Sequence, residues 1–228
     1  MSVENSLDSV STPKMLRWQD SAIALGLFIL GLVVLYSLLF LHVLTVNVNS
    51  SWIFDWADHI WFLAIPLIWY FALKRRFPIG KLSGNSLWRW LPGWIIMLAI
   101  AVPLTILTSP KTSLAGVSSL AIVMNVLFNG VIVGVSEEFL FRGQVQTGLN
   151  NSVEQMVKLG KGSIRLGTIL AAVVFAAIHL VGNVSAIPFA FVFGIVVGYY
   201  YDKTNNIWGA VIIHNIVDLL SFLIPIIL

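Results

Sequence analysis

Residues 112–136, TSLAGVSSLAIVMNVLFNGVIVGVS, form an uncharged run of 25 residues that ends directly at Glu137 and Glu138. A hydrocarbon core about 30 Å thick is crossed by about 20 apolar residues in a helix, so this run is long enough to span a membrane. Two carboxylates at the end of such a helix are costly in lipid, which makes them candidates for a function. The run therefore predicts a membrane protein with polar chemistry at the end of one of its helices.

The rest of the chain repeats this pattern. Of its 228 residues, 58% are hydrophobic and 10% are charged, whereas soluble domains average about 45–50% apolar and about 25% charged residues. The 13 Lys and Arg and the 10 Asp and Glu stand in short clusters between long uncharged runs, which predicts several membrane crossings. This composition excludes a water-soluble domain, a disordered chain and a nucleic-acid binder. The absence of cysteine excludes disulfides, thiolate metal sites and a cysteine nucleophile.

We predict an all-α, polytopic membrane helix bundle of about seven transmembrane helices, in which a polar cytoplasmic tail, 1–20, precedes a single transmembrane domain, 21–228. Gly182 to Ser185 and Pro188 mark a turn between two short spans within 166–201. The other predicted spans are 21–46, 52–73, 90–108, 112–136 and 207–228.

Positively charged loops predict the orientation in the membrane. With the N-terminus in the cytoplasm, eleven of the thirteen Lys and Arg residues fall on the cytoplasmic side, among them the cluster from Lys74 to Arg89. Only Lys111 falls on the outer side. We therefore expect a multi-pass integral membrane protein, in the membrane lipid bilayer of a bacterial cell, with its N-terminus in the cytoplasm.

Several ionisable residues lie within the predicted spans or at their ends. Because a charge at the bilayer centre costs about 2.5–3.5 kcal/mol on insertion scales, these side chains are expected to face a cavity inside the protein. At 1.5 Å of rise per residue, three of the helices carry them about 10 to 18 Å from their cytoplasmic ends. The residues are Glu137, Glu138, Arg142, His179, His214 and Asp218.

Helical spacing groups these residues. Glu138 and Arg142 are four residues apart and predict an ion pair, whereas Glu137 lies about 100° away and is the carboxylate left free to act as a base. His214 and Asp218 are also four apart, so Asp218 can accept a proton from one ring nitrogen and aim the other at the cavity. The alternative for the first pair is a structural ion pair at the cytoplasmic interface, with the arginine reaching toward water.

Two further spacings are interpreted structurally. Asp55 and His59, four residues apart at the outer end of the second predicted span, are interpreted as an interfacial cap. Small residues at helical spacing predict close helix packing at Gly130, Gly134, Gly194 and Gly198.

A carboxylate, two histidines and an orienting Asp in a partly desolvated pocket are what hydrolysis needs when no Ser or Cys nucleophile is present. Glu137 can take a proton from water and deliver it to a leaving amine. The imidazoles can stabilise an oxyanion or, with the Glu, hold a divalent metal such as zinc. The metal remains open, with Glu137, His179, His214 and Asp218 as candidate ligands and no cofactor that is certain.

Three motifs stand in order on three successive apolar segments: EEFLFR at 137–142 reads EExxxR, FAAIH at 175–179 reads FxxxH, and HNIVD at 214–218 reads HxxxD. They resemble the motifs of the CPBP intramembrane proteases, also called the Abi or type II CAAX prenyl endopeptidase family. The resemblance covers about 120–218. It implies an endopeptidase whose site lies inside the membrane and opens to the cytoplasmic side, with a catalytic core of about 112–228.

The resemblance also implies roles for the motif residues of the first two helices. By position, Glu137 is the water-activating base, Glu138 and Arg142 are its supporting pair, and His179 is a catalytic partner. The family is described both as metalloproteases and as glutamate-dependent enzymes.

The third motif departs from the family pattern. His214 and Asp218 would form the group that positions the oxyanion or the water, but the family's motif usually ends in Asn. Because a carboxylate cannot donate to an oxyanion, Asp218 is expected to orient His214 or to bind a metal.

The implied substrate is a peptide or a membrane-anchored protein that reaches the site from the cytoplasmic face or from the lipid. In eukaryotic relatives it is a prenylated CAAX tail, and bacterial members are linked to bacteriocin processing or self-immunity. The alternative is a non-enzymatic transporter or immunity protein that binds a ligand in the same cavity.

Overall fold

The computed structural model describes residues 51–71, 74, 76–180 and 184–228, with only the backbone for 51–55, 57 and 58, and isolated residues between 19 and 37. The predicted tail 1–20 and the predicted span 21–46 therefore lie outside the described residues, apart from those isolated positions. So do residues 182 and 183, the first half of the predicted turn at 182–185.

The described chain is mostly helical. Four helices are long and apolar enough to cross a membrane: α2 (Gly84–Thr108), α3 (Ser119–Ser152), α5 (Val184–Thr204) and α6 (Trp208–Ile227). Two further helices have shorter apolar stretches, α1 (Ser51–Phe71) over His59–Phe71 and α4 over its whole length (Leu166–Leu180). These elements are those of a multi-pass membrane protein, while the number of about seven spans stays a prediction.

One short hairpin departs from the all-α prediction. Strands β1 (Met156–Leu159) and β2 (Gly162–Arg165) pair antiparallel between α3 and α4. Gly160 begins the two-residue loop with a positive φ of 57°, a backbone conformation that glycine adopts without a steric penalty.

Helix α3 extends further than predicted. The prediction was an uncharged span over 112–136 in a helix that ends near Gln146, whereas the helix begins at Ser119 and continues to Ser152. Ser118 caps its start by accepting a hydrogen bond from the backbone of Ala121. The helix contains two wide, π-helical segments, Phe128–Ile132 and Phe139–Gln146. It continues past the carboxylates because neighbouring helices supply partners for them, and Glu137 consequently lies near its middle.

Helix α3 is also the centre of the bundle, with α1, α4 and α6 packed against it. Helix α6 comes close at Gly134, whose backbone N–H donates to Oδ1 of Asn215 at 2.8 Å. A Cβ on Gly134 would overlap that oxygen, and a Cβ on Gly194 would lie 2.8 Å from Ala172. The close packing predicted from the glycine spacing is therefore confirmed at Gly134, Gly194 and Gly198, whereas a Cβ on Gly130 would make only an ordinary contact.

The two ends of the bundle differ in charge. Nη2 of Arg89, near the start of α2, donates to the backbone oxygen of Lys203 at the end of α5, and the hairpin carries Lys158 and Arg165. We call this the basic end. At the opposite end, the loop after α2 meets the end of α6, where the N–H of Thr112 donates to the oxygen of Pro225.

Candidate active site

His214 on α6 lies between the two carboxylates of α3. Its Nδ1 donates to Oε1 of Glu138 at 2.7 Å, and its Nε2 lies 3.7 Å from Oε2 of Glu137. All three side chains are buried. One ring nitrogen is thus fixed by a hydrogen bond, and the other is directed toward Glu137.

Arg142 supports Glu138 from the opposite side. Its Nε lies 3.0 Å from Oε2 of Glu138, and neither side chain is exposed. The guanidinium lies over the ring of Phe175, 4.9 Å from its centroid. The ion pair predicted from the spacing is present, but the alternative of an arginine reaching toward water is wrong because Arg142 is fully buried. A buried carboxylate with a cation on one oxygen and an N–H donor on the other is stabilised in its charged form.

A histidine from α1 also contacts the site. Nε2 of His59 lies at hydrogen-bond distance, 3.1 Å, from Oε1 of Glu137. The prediction that Glu137 is unpaired is therefore wrong, and so is the interpretation of His59 as an interfacial cap. The sequence contained one indication of this contact. His59 is an ionisable residue that stands about 10 Å inside the predicted span, counted from Trp52 at 1.5 Å per residue.

Asp218 has a different position from the one predicted. Its Oδ2 lies 3.4 Å from Nε2 of His214, on the same side of the ring as Glu137. The hydrogen bond that orients the ring comes from Glu138 instead. A quarter of the Asp218 side chain is exposed, so this carboxylate faces the cavity rather than the protein interior.

His179 lies at the end of α4 and lines the same cavity as His214 and Asp218. Its Nδ1 lies 3.2 Å from the backbone oxygen of Phe175, one turn earlier. This is the hydrogen bond expected of a structural imidazole, and it also fixes which face of the ring the cavity meets.

The cavity beside these residues has a volume of about 290 Å³ and is lined from α4, α5 and α6. A second cavity of about 280 Å³ shares Ala186, Phe189 and Ser221 with it. The two are therefore adjacent, and we call the second the hydroxyl cleft. Its hydroxyl groups belong to Thr105, Thr108, Ser109, Ser185 and Ser221.

The hydroxyl cleft runs toward the end of α2 and the start of α5. Both lie at the end of the bundle opposite the basic end. The resemblance implied a site open to the cytoplasmic side, whereas the positive-inside rule would place the mouth of this cleft on the outer side.

The candidate metal ligands do not form a metal site in the residues that the structure describes. Within the part of the chain that the structure describes, no group of three or more His, Asp or Glu side chains is arranged to hold a metal ion. Two candidate ligand atoms already have partners, since Oε1 of Glu137 contacts His59 and Nδ1 of His214 is bonded to Glu138. The metal site that the sequence left open is therefore not formed by these four side chains in the described part of the chain.

The fold and the site together define a multi-pass helical membrane protein with carboxylates and imidazoles buried between its helices. Residues 118–220 match the family model described as Type II CAAX prenyl endopeptidase Rce1-like. This match supports the CPBP, CAAX-protease-like family that the three motifs predicted, and it supports a protease of the CAAX endopeptidase type. No curated protein and no solved structure matches the chain. Helix α1, with His59, lies outside the matched segment.

Proposed function

We propose that the protein is an intramembrane endopeptidase that hydrolyses peptide bonds with a water activated by Glu137. The observation that carries the proposal is the 3.7 Å separation between Oε2 of Glu137 and Nε2 of His214, whose other nitrogen is fixed by Glu138. This separation is too long for a good hydrogen bond and suits a small oxygen ligand that contacts both groups. A reacting water or a substrate carbonyl is such a ligand.

Glu137 carries the proton that hydrolysis moves from the water to the leaving amine. It accepts this proton as the oxygen of the water adds to the peptide carbonyl carbon. His214 acts in its doubly protonated form: its Nδ1–H stays on Glu138, and its Nε2–H donates a hydrogen bond to the oxyanion that forms, with His179 on the same cavity wall. As the C–N bond breaks, Glu137 returns its proton to the leaving amine, which leaves a new carboxyl group and a new amino group.

The substrate class follows from the shape and lining of the cavities. An extended peptide has unpaired N–H and C=O groups, and the hydroxyl cleft presents hydroxyl oxygens on α2, α5 and α6 that can accept hydrogen bonds from the N–H groups. Phe189 and Phe193 line the cavity nearer His214 and suit apolar side chains or a lipid group. We therefore propose a peptide or membrane-anchored protein substrate that approaches along the cleft, from the end opposite the basic residues.

The test compares new peptide termini in membranes from cells that express the wild type or Glu137→Gln at equal levels. Glu154→Gln is the matched control, because Glu154 is an exposed carboxylate before the hairpin. We expect a set of termini with the wild type and the control, and a loss of at least about 100-fold with Glu137→Gln, as for removal of a general base.

Equal sets of termini in all three samples would overturn the protease proposal and leave a ligand-binding or immunity protein. Where termini depend on Glu137, their sequences name the substrate class. Prenylated C-terminal tails, secreted peptide precursors and other membrane proteins then separate the CAAX-type, bacteriocin-type and general functions.

A further inference from the structure

We infer that His59 is a positioning residue for the proposed hydrolysis, holding Oε1 of Glu137 so that Oε2 faces His214. The inference rests on the proposed function. The two oxygens of Glu137 face imidazoles from different helices, His59 on α1 at 3.1 Å and His214 on α6 at 3.7 Å. Only the shorter separation is a hydrogen-bond distance, so His59 is the group that fixes the carboxylate.

The ring of His59 is itself held in place. It meets Phe128 edge to face, with ring centroids 4.9 Å apart, and Phe62 with centroids 5.2 Å apart. Phe62 and Ile65 anchor this part of α1 in the core. A fixed donor on a packed helix orients its acceptor more precisely than a donor on a mobile segment.

A glutamate needs such a partner because the torsion of its carboxylate is broad and roughly two-fold. Free rotation of the Glu137 carboxylate would bring either oxygen toward His214 and would let the carboxylate turn away from the cavity. His59 removes that freedom. It acts through Glu137, because its Nε2 contacts Oε1 of that carboxylate, the oxygen that does not face His214.

With His59, helix α1 also contributes a residue to the site. His59 precedes the matched segment, 118–220, and belongs to none of the three motifs. The positioning of the base therefore depends on α1 as well as on the later helices.

The test uses the full-length chain in membranes and measures the rate at which the wild-type-specific termini appear. His59→Leu removes the donor and is expected to lower the rate by about 10- to 100-fold, as for partners that orient a functional group. His59→Gln keeps an N–H donor at similar reach and is expected to restore most of the rate. Ile65→Ala is the matched control, because it removes a buried contact of the same helix without touching Glu137.

The result that would overturn the inference is an equal loss of rate with His59→Leu, His59→Gln and Ile65→Ala. That outcome would mean that only the packing of α1 matters. A wild-type rate with His59→Leu would overturn it as well.

A second measurement does not depend on proteolysis. Thermal unfolding in detergent is recorded for His59→Leu and Glu137→Gln, alone and combined. Because the two side chains contact each other, we expect the shift of the midpoint for the double variant to differ from the sum of the single shifts, whereas Ile65→Ala and Glu137→Gln should be additive. Additive shifts for His59 and Glu137 would refute the contact.

The two readouts separate the failure of this inference from the failure of the proposed function. If no wild-type-specific termini are found, the proposed protease activity and the positioning role of His59 are both refuted. The unfolding data then still decide whether His59 and Glu137 are coupled.

Discussion

Replacing Gly134 by alanine is expected to slow the reaction without removing any functional group of the site. Gly134 lies one turn before Glu138, where α6 approaches α3 most directly through Asn215. A Cβ at this position would overlap Oδ1 of Asn215 and would lie 3.0 Å from its backbone nitrogen. Such contacts normally need about 3.4 Å or more, so the Asn215 side chain has to turn away and the backbone of α6 has to move by about 0.4 Å.

The shift affects the chemistry because Asn215 directly follows His214. Because a displacement of about 1 Å can cost about 100-fold in rate, a shift of about 0.4 Å is expected to cost about 10-fold. The hydrogen bond from the N–H of Gly134 to Asn215, 2.8 Å long, is strained at the same time, which costs about 0.5–1.5 kcal/mol of stability.

The assay measures the rate of wild-type-specific cleavage per folded protein, with thermal unfolding in detergent recorded beside it. Gly130→Ala is the control, since it lies one turn earlier on α3 and its added Cβ would meet only Leu219 at 3.8 Å, an ordinary contact. We expect a large loss of rate for Gly134→Ala and little change for Gly130→Ala. A wild-type rate for Gly134→Ala, or an equal loss for both, would refute the argument that close approach of α6 sets the position of His214.

Three further predictions concern other parts of the molecule. Arg142→Leu leaves the buried Glu138 without its cation and should lower the free energy of unfolding by about 3–5 kcal/mol, measured by denaturation in detergent, so an unchanged stability would contradict the ion pair. Glu138→Gln should lower the cleavage rate more than Asp218→Asn does, because Glu138 makes the hydrogen bond that orients His214, and the reverse order would contradict that assignment. Since the chain has no cysteine, Ser221→Cys should react with a membrane-impermeant maleimide added to intact cells, whereas Ser86→Cys at the basic end should react only after permeabilisation.

The sequence predicts the convergence of the site because each motif stands on its own apolar helix. Ionisable side chains on three such helices have to meet in the interior, since lipid does not solvate them. The pair of Glu138 and Arg142 follows from local helical spacing alone, and this pair is present in the structure.

Other features depend on how the helices are rotated about their axes, which local spacing does not encode. Whether Glu138 or Asp218 meets Nδ1 of His214 is decided by the rotation of α6 against α3. The wide segment at 128–132 changes the phase of α3 just before the carboxylates. The contact of His59 with Glu137 depends on α1 in the same way.

The length of α3 could not be predicted from charge for a related reason. A rule that ends a span at the first charged residues assumes that those residues face lipid or water. Glu138 and Arg142 are instead neutralised by each other inside the bundle, and Gln144 and Gln146 behind them are fully buried. The partners come from tertiary structure, so the helix continues for another 16 residues past Ser136.

The most direct test of the central claim follows the oxygen of the attacking water. Membranes with the wild type, Glu137→Gln or the control Glu154→Gln are incubated in water enriched in ¹⁸O, and the new peptide C-termini are analysed by mass spectrometry. The account predicts that the wild type and Glu154→Gln produce the same new C-termini, each with ¹⁸O in its carboxyl group, and that Glu137→Gln does not produce them. New C-termini that form equally with Glu137→Gln would contradict the claim that Glu137 activates the water.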